Sequence, residues 1–582
     1  MIASQKLARR NIDQVKNLEK TKLQTQPALH IPLWLVWGAA LAFVLCGLGS
    51  YGILDNNEGL YAEIPREMLA SHDWRWWVIP HLNGLPYMEK PPLLYWLTAL
   101  SFSVFGVDEW SARVVPALSS LLCVALITRF GSAVGRPQAG RLAALMFVSG
   151  LGVMAMSRTL MFDMLLTVCL TAALMCAYLY STQHEVGKLR QTYAWLALAL
   201  MAKGVVALLL FGMVIFFLLL PTLWREGVLP TCRAWLEPRA ILIFFVIAAP
   251  WHIAASLVEP IFPWFYFINE HVLRFLGKRE PHDYYAGPWW YYLPRMALYL
   301  FPWSFLLPSL LQRSQVDSQA DVHADAPKTL ASFLWLAWLL PLLFFSVSSA
   351  KANYYLVVVM PFAVFQLAVA IENRNFLRAS QRVLPGVLIA LLAGLLLALV
   401  AHSANLPSQP VILGGTPGQF VFVLLLGLVG AAILCALVAA RWARIGILSY
   451  LALSAVCAVA LLITVNAMEP QVSTRLLSRY LQTDLANRTV YLYRNFEEQS
   501  SLPFYLQKSV SVIDSRSSDL FWGNKLQAND LMITSAQLEP ELSSKSIAIV
   551  VMERQRKDFE AGPLFARMKG QRQVGAVTVF FN

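Results

Sequence analysis

Carboxylates and cations are concentrated between the first long apolar segment and residue 110. Asp55 and Glu58 follow that segment directly, and Glu89 and Lys90 lie further along the same stretch. Another acid, Asp163, is flanked by apolar residues, where a carboxylate is costly unless it has a partner or a water-filled cavity. A carboxylate beside a cavity can act as a general base if its pKa lies near the working pH. The candidate catalytic residues are therefore Asp55, Glu58 and Asp163, although an acid at a helix end is often merely solvated.

Cations that we expect on the outward side of the membrane, like these acids, form a second candidate group. They are Lys90, Arg158, Lys203, Arg274 and Lys351. One such residue could simply extend its charge toward water, but several on one face indicate a shared anion, for which phosphate is the obvious candidate. The sequence contains no glycine-rich P-loop, so an ATP-driven enzyme is disfavoured.

A metal site is an open alternative. A lone histidine is more often structural than a ligand, but a carboxylate and an imidazole such as Glu89 and His271 together suit zinc. The seven cysteines form no CxxC pair, and six of them lie in apolar segments, so neither a disulfide framework nor a cysteine metal site is expected. Nothing else in the sequence requires a cofactor.

The composition is that of a polytopic membrane protein. Of 582 residues, 58% are hydrophobic and only 14% are charged, against about 25% charged in an average soluble protein. The net charge of +12 is explained by basic residues collecting in inward-facing loops. No basic stripe with interleaved aromatic residues is present, so nucleic acid is not an expected partner.

The apolar segments predict about thirteen membrane spans, since a span needs roughly 20 apolar residues. The segments are 31–53, 111–131, 139–157, 161–182, 191–202, 204–222, 239–257, 289–310, 329–347, 353–372, 383–402, 418–440 and 445–467. The polar and basic residues 1–30 precede the first span and are predicted to form a cytoplasmic tail.

The short segment 92–106 is not predicted to cross. If it did, every later basic loop would face outward, against the positive-inside rule. We therefore predict that 92–106 and 60–70 are amphipathic helices at the membrane interface. Residues 54–110 then form the first outward loop, in the periplasm.

From residue 468 the pattern changes to short alternating runs. They are 489–496, 510–514, 530–534, 546–552 and 576–581, and runs of this length with β-branched and aromatic residues are typical of strands. Residues 1–467 are thus predicted to form a transmembrane catalytic domain, and residues 468–582, the C-terminal part, a small periplasmic α/β domain.

Several motifs occur in the order of a known family: EGLYAEIPREML, LNGLPYMEKPPLLYWL, SRTLMFDM, INEHVLRF and SSAKANYYLVVVMP. Together they resemble the polyprenyl-phosphate-sugar-dependent GT-C glycosyltransferases. Within these, the chain is most similar to the lipid A aminoarabinose transferases and the related protein O-mannosyltransferases. The resemblance covers residues 31 to about 372 well.

The resemblance implies thirteen spans and an inverting transfer of sugar from a polyprenyl phosphate to a hydroxyl or phosphate acceptor. An acid of the first outward loop acts as the base or near it, and basic groups hold the donor phosphate. The residues in matching positions are Glu58, Tyr61, Glu63, Glu89, Lys90, Asp163, Lys203, His271 and Lys351. Tyr61, Glu63, Tyr87, Tyr354 and Tyr355 are expected in the substrate cavity, and a zinc ion near Glu89 and His271.

The chain departs from the family pattern at the start of the first outward loop. Asn57 replaces the first acid of an Asp-Glu pair, and Leu60 replaces an arginine. Asp55, two residues earlier, could substitute for the missing acid, or Glu58 could act alone. The sequence leaves these alternatives open.

We therefore predict a glycosyltransferase of the bacterial inner membrane whose active site faces the periplasm. It would act, as a monomer, on a polyprenyl (undecaprenyl) phosphate sugar and a lipid A/LPS-type or other envelope acceptor. A protein acceptor is the alternative within the same fold. A lipid-linked-sugar transporter or flippase is the alternative of another class, but the broken helices of two inverted halves that would mark one are not found.

Overall fold

The computed structural model describes residues 30–281, 287–311, 329–372, 443–527 and 530–582, together with the isolated residues 384 and 388. Apart from residue 30, the predicted cytoplasmic tail lies outside this set. The predicted spans 383–402 and 418–440 also lie outside it, apart from residues 384 and 388.

Long apolar helices dominate the first part of the chain. Within the described residues, seven helices are long and apolar enough to cross a membrane: Val114–Ala133, Phe162–Gln183, Val206–Glu226, Pro238–Val258, Leu330–Val347, Asn353–Glu372 and Gly446–Val472. Each coincides with a predicted span, and the prediction of a helical membrane protein is confirmed.

The other predicted spans within the described residues coincide with shorter or interrupted helices. They are Leu33–Leu45, Pro137–Ser149 followed by Leu151–Met156, Val186–Lys203, and Tyr292–Leu300 followed by the 3-10 helix Trp303–Leu311. Two of the interruptions meet, because the Leu151 N–H donates to the Phe301 carbonyl at 3.0 Å. A helix break inside a membrane has to satisfy its backbone groups within the protein, and these two breaks do so together.

The first outward loop folds into small elements over the ends of these helices. They are the helices Asn57–Ala70, Arg75–Val78, Leu93–Phe105 and Glu109–Ala112, and a hairpin of β1 (His81–Leu82) and β2 (Leu85–Pro86). Residues 58–68 of the first helix are all buried within the protein. The predicted interfacial position of 60–70 and 92–106 concerns a membrane, which the structure does not contain, and it stays a prediction.

The C-terminal part contains a six-stranded sheet in the order β5-β4-β3-β6-β8-β7. Its strands are β3 (Thr489–Tyr493), β4 (Ser511–Ile513), β5 (Met532–Ile533), β6 (Ile547–Met552), β7 (Gly570–Val574) and β8 (Val577–Phe581). Strands β5, β4, β3 and β6 are parallel, whereas β8 and β7 are antiparallel additions. Five strands coincide with the predicted runs. The sixth, β7, reads GQRQV and is polar at most positions, so it gave no strand pattern.

Buried polar contacts hold the C-terminal part on the first outward loop. The Asn83 amide donates to the Val510 carbonyl at 2.9 Å and accepts from its N–H at 2.8 Å. The Asn56 N–H donates to the Glu497 carbonyl at 2.8 Å. A Cβ on Gly59 would lie 2.3 Å from Ser500 Oγ, so only glycine allows this approach. The two regions therefore enclose one space between them.

Candidate functional site

A cavity of about 1010 Å³ lies between the apolar helices, the first outward loop and the C-terminal part. Its charged lining residues are Glu89, Lys90, Asp163, Lys203, Glu270, Arg274, Arg279, Glu497, Glu498, Arg516, Asp519 and Arg554. Cavities of this size accommodate substrate-sized ligands. A mixed set of carboxylates and cations in an otherwise apolar protein makes it the candidate active site.

Two helix ends place one ion pair in the cavity wall. Asp163 lies in the first turn of the helix Phe162–Gln183, and Lys203 is the last residue of Val186–Lys203. These are the ends at which helix dipoles favour a negative and a positive charge, respectively. The Asp163 carboxylate and the Lys203 ammonium form a salt bridge, and their side chains are 2% and 13% exposed. The Lys203 ammonium also lies 5.2 Å and 4.7 Å from the ring centroids of Tyr354 and Tyr355.

A second charged group joins the first outward loop to the segment 264–279. Arg279 bridges two carboxylates, at 2.5 Å from Glu270 Oε1 and 2.6 Å from Glu89 Oε1. Arg274 lies 3.3 Å and Lys90 3.9 Å from Glu270 Oε2. Three cations around two carboxylates leave one positive charge in excess if both acids are ionised. We call these five residues the cation cluster.

The pKa values of the two acids differ because their neighbours differ. Burial raises the pKa of Glu89, but the nearby Arg279, Lys90 and Arg274 outweigh it, and the pKa falls below its usual value. Burial and then the charge of Glu89 raise the pKa of Glu270, against the effect of Arg279. Glu89 is therefore the fixed negative partner, and the cluster readily accepts a further anion.

His271 lines the cavity, but both of its ring nitrogens are engaged. Nδ1 lies 2.5 Å from the Tyr266 carbonyl, to which it donates in the matching tautomer, and Nε2 accepts from the Val205 N–H at 3.2 Å. Burial lowers the pKa of His271 to about 4. Glu89 is ion-paired, and the described residues hold no group of three or more His, Cys, Asp or Glu suited to a metal. The residues expected to hold zinc thus do not fit a metal ion in this arrangement.

Neither of the two candidate bases at the start of the first outward loop, Asp55 and Glu58, lines the cavity. The Asp55 carboxylate accepts from the Ser501 N–H at 3.0 Å and its hydroxyl at 2.7 Å, and burial raises its pKa to about 8. Glu58 accepts from Arg113 Nε and Nη2, both at 2.9 Å. The backbone N–H groups of Leu54 and Leu160 also donate to Glu58 at 2.9 Å. The structure does not bring either acid to the cavity, and the role of either as the base stays a prediction.

Three other predicted site residues are also placed away from the cavity wall. Lys351 donates to the carbonyls of residues 345, 346 and 348 at 2.5 to 3.0 Å, so its ammonium caps the end of the helix Leu330–Val347. Arg158 is buried and donates to the Cys46 carbonyl at 2.8 Å. Glu63 forms a buried pair with Arg66 at 2.6 Å. The structure therefore does not bring Lys351, Arg158 or Glu63 to the cavity, and their predicted roles at the site stay predictions.

The other predicted residues do meet at the cavity. Lys90, Lys203, Arg274, Asp163, Glu89 and His271 line it, as do Tyr61, Tyr87, Tyr354 and Tyr355. The Tyr61 hydroxyl donates to Asn57 Oδ1 and the Tyr87 hydroxyl to Glu89 Oε2, each at 3.3 Å. Hydroxyl groups beside an amide and a carboxylate suit a polyhydroxylated ligand such as a sugar.

Sequence reasoning missed the residues that the C-terminal part contributes, and also Arg279. The contributed residues with charge are Glu497, Glu498, Arg516, Asp519 and Arg554. They are spread over nearly sixty positions of a polar segment, and no local motif distinguishes them. Arg279 had a weak signal, because it lies in the charged run GKRE within an outward loop.

Comparison with known proteins identifies what this fold and cavity resemble. Residues 89–253 match the family model of dolichyl-phosphate-mannose-protein mannosyltransferase. The chain is 29% identical over 552 residues, 91% of each protein, to an undecaprenyl phosphate-alpha-4-amino-4-deoxy-L-arabinose arabinosyl transferase of Aeromonas salmonicida. It is 32% identical to the Aeromonas hydrophila transferase of that name over 339 residues, 57% of this chain and 58% of the relative.

The crystal structure of ArnT from Cupriavidus metallidurans bound to undecaprenyl phosphate has the same fold. The TM-score is 0.73 at 22% identity, and the match covers 94% of this chain and 97% of that one. The chain therefore has the fold of that structure, and the proteins that it is similar to are glycosyltransferases of the GT-C class, as its motifs indicated. Within that class, its similarity is to the undecaprenyl-phosphate aminoarabinose transferases.

Proposed function

We propose that this protein transfers a sugar from a polyprenyl (undecaprenyl) phosphate donor to a lipid A-type or other envelope acceptor, with inversion at the sugar carbon. The observation that carries the proposal is the cation cluster. It places Lys90, Arg274 and Arg279 around one end of a cavity whose walls also hold tyrosines and an acid. The relatives' names specify an undecaprenyl phosphate donor, and such a donor brings the anion that the cluster lacks.

The finer topology belongs to the same proposal. We infer about thirteen spans, with the first outward loop and residues 468–582, as a small α/β domain, on the periplasmic side. Each predicted span within the described residues falls on a helix, and the predicted inward loops are basic. We also propose that the protein acts as a monomer.

The reaction follows from the charges around the donor. The bond between the sugar carbon and the phosphate oxygen breaks, and its electron pair stays on the phosphate. Lys90, Arg274 and Arg279 lie where that developing charge would be stabilised, as fixed cations do in a water-poor site. An acceptor oxygen attacks the opposite face of the sugar carbon and forms the new bond.

The acceptor decides whether a base is needed. A hydroxyl has to lose its proton, and Asp163 is the carboxylate among the apolar walls that can take it. A phosphate acceptor is already an anion, and for it the pair of Asp163 and Lys203 would only orient the attacking group. Asn57 leaves the first outward loop without the family's usual acid, which favours a phosphate acceptor.

The test is transfer by purified protein in vesicles that contain the lipid-linked donor and one acceptor at a time. We expect product with a lipid A-type acceptor and none with a peptide. Lys90→Ala is expected to lower the rate roughly 10²- to 10³-fold, as loss of a transition-state donor does. The matched control is Lys508→Ala, at an exposed lysine of the C-terminal part. Full activity of Lys90→Ala would refute the phosphate role.

Two further outcomes separate the alternatives. Product with a peptide and none with lipid would establish the protein acceptor that the matched family model describes. Movement of the donor across vesicles in the absence of any acceptor, with no product when one is added, would establish a flippase.

A further inference from the structure

Asp519 differs from the other carboxylates of the cavity because no described residue donates a hydrogen bond to it or pairs with it. The other cavity carboxylates are each held by a cation or by hydrogen-bond donors: Glu89, Asp163, Glu270, Glu497 and Glu498. The backbone N–H of Asp519 donates to Glu497 Oε1 at 3.1 Å, which fixes the position of the residue. Its side chain lines the cavity and remains available to a ligand.

Asp519 lines the same cavity as Tyr61, Tyr87 and the cation cluster. Burial, and then the nearby charges of Glu89 and Glu497, raise its pKa well above the usual range, and Arg279 and Lys90 only partly oppose this. The same carboxyl group contributes to the raised pKa values of Tyr61 and Tyr87. A neutral carboxyl group surrounded by carboxylates becomes charged most readily when a cation arrives.

We propose that Asp519 is a specificity-determining residue that selects a donor whose sugar carries a cationic amino group. The inference rests on the proposed function, since it places the donor phosphate at Lys90 and Arg274 and the sugar between that phosphate and Asp519. The ammonium group then donates a hydrogen bond to the Asp519 carboxylate.

The charges explain why an amine is selected over a hydroxyl. A hydroxyl can donate to Asp519 but brings no charge to offset Glu89 and Glu497. An ammonium group supplies both the hydrogen bond and the charge, and charge-assisted hydrogen bonds are roughly twice as strong as neutral ones. An acidic substituent at this position would be repelled by Glu89 and Glu497.

The test compares two donors that differ at one group. The first is undecaprenyl phosphate carrying 4-amino-4-deoxy-arabinose, and the second carries arabinose, with a hydroxyl in place of the amine. We expect the wild-type protein to favour the amino donor in kcat/KM by roughly tenfold or more, the range of a hydrogen bond to a charged group. Asp519→Asn is expected to remove most of that ratio, and Asp519→Glu to keep part of it.

Asp530→Asn is the matched control, because Asp530 is an exposed acid of the same part of the chain. It is expected to keep the wild-type ratio. An unchanged ratio in Asp519→Asn would overturn the proposal. Equal use of both donors by the wild-type protein would overturn it too, even if Asp519→Asn did not fold. Absence of transfer from either donor would instead count against the proposed function.

Discussion

The contact between Glu58 and Arg113 provides a direct test of the site assignment. Arg113 is 0% and Glu58 is 2% exposed, and the guanidinium also donates to the carbonyls of residues 48, 51 and 52. In Glu58→Ala, Arg113 would keep its charge in a place without water. Removing one partner of a buried ion pair costs roughly 3 to 5 kcal/mol.

The backbone contacts increase the effect of the same substitution. Glu58 also accepts from the N–H groups of Leu54 and Leu160, which link the start of the first outward loop to the segment before the helix Phe162–Gln183. A buried donor left without an acceptor costs about 1 to 3 kcal/mol. The two effects share one carboxylate and will not simply add. We therefore expect Glu58→Ala to lower the free energy of unfolding by at least 3 kcal/mol.

The assay measures unfolding and transfer on the same preparation. Unfolding in mixed micelles gives the free energy, and initial rates per folded molecule give the activity. Glu541→Gln is the control, because Glu541 is exposed in a surface pair with Lys545 and should change stability by less than about 0.5 kcal/mol. Glu58→Gln with wild-type stability and a rate per folded molecule lowered a hundredfold or more would refute the structural assignment and restore Glu58 as the base.

Other parts of the structure lead to further predictions. Asp163→Asn should lower transfer to a hydroxyl acceptor by roughly 10²- to 10⁴-fold and transfer to a phosphate far less; equal losses would contradict its role as base. Lys351→Met should destabilise the protein by about 1 to 3 kcal/mol, since it leaves buried carbonyls unpaired; a changed KM for the donor would show that the lysine binds phosphate. Because the folded pKa of Asp55 is about 8 against an ordinary 3.8, its contribution favours folding at low pH and is lost between those values as the pH rises. Asp55→Asn should therefore make unfolding measurably less dependent on pH over that window; an unchanged dependence would contradict the pKa. A chelator should leave the rate within about twofold, since both His271 nitrogens are engaged and second-shell disruption of a true metal site costs 10- to 100-fold.

The sequence predicted the helices well because each is encoded locally. A run such as 204–222 is apolar at nearly every position and has the length of a membrane-spanning helix. The strands β3, β4, β5, β6 and β8 were predicted for a similar reason, since each is a short run with buried apolar residues. β7 was missed because GQRQV depends on β8 for its place in the sheet.

The site was predicted only in part, since the role of a charged residue depends on partners far away in the chain. Lys90 and Lys351 carry the same kind of signal, since each is a lysine in a predicted outward position that matches the family pattern. Lys90 lines the cavity, whereas the Lys351 ammonium donates its hydrogen bonds to the carbonyls at a helix end. Glu58 matched a family acid, but its partner Arg113 is 55 positions away.

The location of Asp519 shows the limit of reading motifs one at a time. It lies 430 positions after Glu89, with which it shares the cavity. Only the packing of the C-terminal sheet on the first outward loop brings them together, and that packing leaves no local pattern.

The close fit of Gly59 against Ser500 has a consequence for biosynthesis. The helix Asn57–Ala70 leaves the ribosome early, but the residues that cover it, from 497 to 510, are translated more than four hundred residues later. Its apolar and charged side chains therefore stay uncovered until those residues have been synthesised. A nascent chain that stops before that point exposes this surface, which makes truncated products natural targets for quality-control proteases.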